Sequence, residues 1–190
     1  MRVKLCFILL VSIILSGCSA GTPIPTIGVA AKQYRVTKVK VIQGKNISYG
    51  RPSAAGEEEQ KKLIDKTIIT LKQGLEKAII ERNGPGRPAT LKVVMTNIDL
   101  SSGVGRVLLK SDSYVGGQLM LVSARSGKII AQRPVSVSDR STKLQVNVNG
   151  AAIGSFFSLL SNLSQSPEDK RIASVVGPFI AETKHWMEKK

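Results

Sequence analysis

The chain is short of cysteine, histidine and aromatic residues, and each shortage removes a class of chemistry. Cys6 lies inside an apolar N-terminal run and Cys18 closes it, and there is no third cysteine. No thiol is left over for a disulfide, a redox pair or a zinc site, so burial alone must hold the fold. The single histidine, His185, sits beside Trp186 near the C-terminal end of the sequence. One imidazole without a free thiol cannot assemble a common zinc site, and the absence of a Gly-x-Ser-x-Gly turn argues against a hydrolase triad around it. It reads as a surface or packed side chain. Aromatic residues make up 4% of the sequence, too few to form stacking platforms for single-stranded nucleic acid. Acids are scarce as well: 13 Asp and Glu stand against 28 Lys and Arg, a formal net charge of +15. Such an excess favours anionic surfaces. The two apolar runs, residues 5–15 and 150–163, are each too short for an ordinary membrane-spanning helix.

The first of these runs carries the strongest signal in the chain. Arg2 and Lys4 precede it, and Leu15-Ser16-Gly17-Cys18 ends it. A basic start, a short apolar stretch and small residues at the end are the layout of a secretory signal peptide. The Leu-x-Gly-Cys ending resembles the lipobox of bacterial lipoproteins. That resemblance implies a diacylglycerol on the Cys18 thiol, cleavage just before Cys18, and acylation of the new amine. Residues 1–17 are thus expected to be removed. They take Arg2 and Lys4 with them, which lowers the charge from +15 by two, to +13. Ser19, the next residue, resembles the outer-membrane sorting class. Residues 18–31 are small, Pro- and Gly-bearing and almost uncharged, and read as a lipidated tether. Residues 32–190 are expected to form a single periplasmic domain, long enough to bury a core.

Along that domain, residues 34–42 (YRVTKVKVI) alternate β-branched and charged side chains and predict a strand. The phase slips between Val36 and Val39, which suits a bulge. Residues 57–82 predict a helix, with Leu63, Ile64, Thr67, Ile68, Leu71, Leu75, Ala78 and Ile79 on one stripe. Glu57, Glu58 and Glu59 favour its N-terminal dipole, and Asn83-Gly84-Pro85 stops it. Residues 89–100 predict a second strand. Residues 114–124 and 128–137 predict a hairpin around Ala124-Arg125-Ser126-Gly127-Lys128, with Pro134 marking an edge strand. Leu144, Val146 and Val148 alternate once more. Ser166-Pro167-Glu168-Asp169 predicts the start of a last helix, by a capping hydroxyl, a first-turn proline and first-turn acids. Its stripe is Ile172, Val175, Val176, Phe179, Ile180, Thr183, Trp186 and Met187, and Pro178 is expected to kink it. The expected fold is α+β: a two-layer sandwich in which a mostly antiparallel sheet of four to five strands carries two amphipathic helices on one face.

Sites of chemistry are hard to find. Gly103-Val104-Gly105-Arg106 lacks the third glycine and the following Lys-Ser/Thr helix of a phosphate loop. Asp99 and Asp112 are the only candidates for paired carboxylates, and each stands where aspartate is ordinary. Lys38 and Lys40 on the first strand, with Lys61, Lys62, Lys66, Lys72 and Lys77 on the first helix, read first as ordinary solvated faces, with a shared basic outer face as the alternative. Residues 150–163 hold Phe156 and Phe157 without one charge; these two phenylalanines are the candidate partner contact.

The segments Ala89-Thr-Leu-Lys-Val-Val-Met-Thr-Asn-Ile-Asp99, Gly105-Arg106-Val-Leu and Gly117-Gln-Leu-Met-Leu-Val-Ser-Ala-Arg-Ser-Gly-Lys128-Ile-Ile-Ala131 resemble the DUF4410-type family of bacterial lipoproteins. With the apolar Gly/Ala stretch and terminal helix, the likeness runs over residues 34–190. It lacks the acidic residue usual before the hairpin glycine. It implies the α/β fold of the N-terminal part of TolB and of several envelope-assembly lipoproteins, and it brings no catalytic residues. The reading that follows is an outer-membrane lipoprotein, anchored by Cys18 and facing the periplasm. Its domain is expected to be non-enzymatic, without metal or cofactor. It is expected to serve as an accessory or binding module for envelope components. Anionic lipid or lipopolysaccharide and envelope proteins are the expected partners, and nucleic acid is not. The rival readings are a subunit of a secretion or pore assembly and, third, an envelope hydrolase.

Overall fold

The computed structural model describes residues 33–48, 57–80, 85–100, 112–139 and 166–188. Within them the chain forms β1 (Tyr34–Ser48), α1 (Glu57–Leu75), β2 (Arg87–Asp99), β3 (Tyr114–Ser123), β4 (Ile129–Ser138) and α2 (Pro167–Glu188). The four strands make one sheet in the order β1-β2-β3-β4. Two of its three neighbouring pairs are antiparallel, β2 with β3 and β3 with β4. Both helices pack against each other and against the sheet, so they share one face. The fold is the expected α+β sandwich. Cys18, the expected tether, Gly103–Arg106, the alternation at 144–148 and the Phe156–Phe157 segment lie outside the described residues.

The third pair, β1 with β2, is parallel. A parallel pair requires the chain to travel back along the sheet before it pairs again. The helix over residues 57–80 rises about 36 Å at 1.5 Å per residue, close to the length of β1 and β2, and returns the chain to the end where β1 began. Register slips between Val36 and Lys38, at the bulge the sequence phase suggested. There Thr37 donates from Oγ1 to the Ala89 carbonyl at 3.3 Å.

The core follows the two periodicities. On β2, Ala89, Leu91, Val93, Met95 and Ile98 are buried, with one slip at a bulge between Met95 and Asn97. On α1, Ile64, Thr67, Leu71, Leu75 and Ile79 are buried, while Leu63, Ile68 and Ala78 are only partly covered. The last turn of this helix, Glu76–Ile80, widens into a π turn that packs on β1. Gly74 is buried just before it. The whole predicted stripe of α2 is buried, apart from a partly covered Met187. Pro178 lies inside that helix, which continues through it to Glu188.

Two glycines are required by packing or backbone. A Cβ on Gly117 would lie 3.0 Å from the Val94 carbonyl oxygen and 3.5 Å from Cζ of Phe179, so the bare backbone makes the slot for that fully buried ring. Gly127 has φ +68° in the β3–β4 hairpin, a left-handed conformation that costs an L-residue energy. Gly127 N–H donates to the Ser123 carbonyl at 2.9 Å and Ser123 N–H to the Lys128 carbonyl at 2.9 Å. The hairpin is as expected from sequence, and β4, which holds Pro134, is the outermost strand on its side among the described residues.

The start of α2 is tied to α1. Ser166 Oγ accepts from Asp169 N–H at 3.1 Å and donates to the Asp169 carboxylate at 2.9 Å. Lys66 Nζ sits 2.5 Å from Asp169 Oδ1. This lysine contact, more than the Ser166 bonds, holds the Asp169 carboxyl below its ordinary value.

Candidate functional site

The parallel pair places the starts of β1 and β2 together, with Tyr34 opposite Arg87 and Arg35 opposite Pro88. Gly86 permits the approach, since a Cβ there would stand 3.0 Å from the Arg35 nitrogen. The β3–β4 hairpin closes at the same end: Ser123 pairs with Ala89, and Ala124 N–H donates to the Pro88 carbonyl at 3.0 Å. Four basic side chains from three separate stretches of sequence therefore meet at one end of the sheet. They are Arg35, Arg87, Arg125 and Lys128, and all four are exposed. None is ion-paired with an acid among the described residues; the ion pairs there use Lys62, Lys66, Lys72, Arg133 and Lys184. Individually these four residues look like ordinary turn and strand-end residues. Only the pairing of the strand ends collects them, and no spacing in the sequence signals it.

The opposite end of the strands, about 40 Å away along β2 at 3.3 Å per residue, carries acids. Asp99 ends β2 beside Tyr114, and burial pushes its carboxyl up. Asp112 and Asp139 flank the same end, where Asp139 N–H donates to the Ser113 carbonyl at 3.1 Å. Tyr114 Oη and Ser136 Oγ share a short hydrogen bond nearby. The Asp99 and Asp112 candidates thus lie towards one end of the sheet, flanking the β2–β3 connection. No cluster of three or more His, Cys, Asp or Glu side chains suited to a metal occurs among the described residues. His185 is exposed in the last turn of α2.

The lysines of β1 and α1 do not form a single basic face. Val36 and Val39 are buried under the helices, so Lys38 and Lys40 project to the other side of the sheet. The α1 lysines instead face outward from the helix layer. Three of them are ion-paired: Lys62 with Glu58 at 3.0 Å, Lys66 with Asp169, and Lys72 with Glu76 at 3.9 Å. Across the sheet, Lys40 is opposite Lys92, and Ile42 is opposite Val94. No described helix packs on that face. Among the described residues no helix is long and apolar enough to cross a membrane.

No protein-family profile matches the chain, and no curated protein does. Several solved structures resemble it at low identity. A PelC dodecamer from Paraburkholderia phytofirmans has 13% identity and a TM-score of 0.36, covering 78% of this chain and 87% of that one. The protein XCC0632 from Xanthomonas campestris, of family DUF330, has 9% identity and a TM-score of 0.36, with 81% and 83% covered. Lipoprotein GNA1162 from Neisseria meningitidis has 19% identity and a TM-score of 0.26, with 69% and 96% covered. Likenesses this loose decide nothing about the role of this chain.

Proposed function

We infer that this chain is a lipoprotein of the bacterial outer membrane, held by acyl chains on Cys18 and facing the periplasm. Its sandwich domain acts as a non-catalytic accessory or binding module for envelope components. The observation that carries the reading is Leu15-Ser16-Gly17-Cys18 behind a short apolar run, followed by Ser19. A single acyl chain binds a bilayer only marginally, whereas two or more anchor it stably. The DUF4410-type resemblance belongs to the same reading. Phe156 and Phe157 are the proposed partner contact, in an uncharged stretch that a binding module would present to an envelope protein.

The test is fractionation with intact mass and co-purification from detergent-solubilised membranes. Wild type is expected in the outer-membrane fraction without residues 1–17 and with the mass of diacylglycerol plus an acyl chain. Cys18→Ala is expected to be released or to remain an uncleaved precursor. Phe156→Ser with Phe157→Ser is expected to stay anchored and folded while losing co-purified envelope proteins. A soluble wild type cut elsewhere refutes the anchor. A ring-sized species on detergent extraction redirects the binding role to a secretion or pore assembly. Partners retained by the folded double variant, with a large drop in melting temperature, assign the phenylalanines to the core.

A further inference from the structure

We propose that the strand end carrying Arg35, Arg87, Arg125 and Lys128 docks on anionic phospholipid headgroups of the leaflet that holds the anchor, so that the sheet stands upright on the membrane. The proposal rests on the lipid-anchored reading above. Its first support is position. The chain enters β1 at Tyr34, at this same end, and only residues 19–33 separate Cys18 from the described domain. Fifteen residues reach at most about 50 Å when fully extended. To turn the acidic end to the bilayer, the chain would first have to run the roughly 40 Å length of the strands, nearly all of that reach. The basic end can meet the surface with the connection slack.

Charge complementarity is the second support. The four bases have no acid partner among the described residues. The acids on the helices that run toward this end are already neutralised, Glu76 by Lys72 at 3.9 Å and Glu188 by Lys184 at 3.6 Å. Asp99, Asp112 and Asp139 lie at the far end of the strands. Four cations without acid partners among the described residues, gathered at one end of the sheet, favour approach of an anionic surface by that end. Each Lys or Arg near such a surface contributes about fivefold to partitioning, within a screening length of about 8 Å at physiological salt. A contact too weak to recruit a free protein suffices for one already tethered, because the anchor keeps the local concentration high.

The experiment uses the full mature lipidated protein in vesicles of phosphatidylcholine alone or with added phosphatidylglycerol. Ala124→Cys supplies one free thiol at the exposed hairpin, since Cys18 carries the lipid. Energy transfer from a fluorophore on that thiol to headgroup-labelled lipid reports how closely this end approaches the bilayer. Transfer is expected to be higher in the phosphatidylglycerol vesicles and to fall to the neutral level at high salt. Arg125→Glu with Lys128→Glu is expected to lose the difference. Lys61→Glu with Lys62→Glu, an equal change of charge on α1, is expected to keep it. Equal transfer in both kinds of vesicle, or equal loss in both double variants, overturns the docking surface. Should either variant fail to fold, the wild-type lipid and salt dependence decides. Wild type left in the supernatant of neutral vesicles is a different failure: the anchor reading falls and takes the docking with it.

Discussion

Three positions within one turn of α1 give a graded test of how the helix meets the sheet. Leu71 is 0% exposed, Ile68 is half-buried and Ile69 is 55% exposed. Truncating Leu71 to Ala removes three buried carbons and leaves a void between α1 and the sheet. Large-to-small changes of this kind cost about 2–5 kcal/mol. For a domain of this size each kcal/mol moves the melting temperature by about 2–4 °C, so a cost near the middle of the range lowers it by about 7–14 °C. Ile69→Ala also removes three carbons, yet that side chain already faces water. Alanine is also the better helix former, so the change stays within about 0.5 kcal/mol in either direction. Ile68→Ala falls between the two. Circular dichroism melts of the three variants under one buffer provide the comparison. If Leu71→Ala and Ile69→Ala melt together, the helix is rotated relative to the arrangement described here and the reasoning fails.

Gly127→Ala is expected to destabilise by about 1–2 kcal/mol, because φ is +68° while no atom lies within 4 Å of the added methyl. An unchanged melting temperature would show the hairpin to be relaxed. Asp169→Asn probes the junction of the helices. The carboxyl is held below its usual value in the folded protein, so its contribution is present above the unfolded value of about 3.9 and is lost as pH falls through the lower folded value. The stability gap between wild type and Asp169→Asn, about 1 kcal/mol for a capping and partly exposed ionic contact, should therefore close on acidification below about pH 4. A gap that widens in acid would reverse the assigned direction.

Much of the fold was legible because it depends on local rules. The α2 stripe from Ile172 to Trp186 follows helical spacing and is buried as written. The Ser166 cap forms a hydroxyl–amide bond with Asp169, as a Ser-Pro-acid start suggests. Gly127 in the hairpin and the bulge beside Val36 were equally readable. Ile68 marks the resolution of such reading: it belongs to the stripe, but it sits at the stripe's margin and is only half-buried. The alternative of a shared basic face from the β1 and α1 lysines does not hold. Period-two alternation sends Lys38 and Lys40 to the side of the sheet away from α1 once Val36 and Val39 face the helices.

The sequence by itself determined the two helix faces, the strands and the hairpin turn, because each is written in neighbouring residues. The tertiary structure alone decided that β1 and β2 run parallel, that Gly117 leaves room for Phe179, and that Lys66 reaches Asp169. It also decided that Arg35, Arg87, Arg125 and Lys128 share one end of the sheet. These depend on contacts between residues far apart in the chain, which no local spacing encodes. They arise only when burying the shared apolar faces brings the helices onto the sheet and aligns the strand ends.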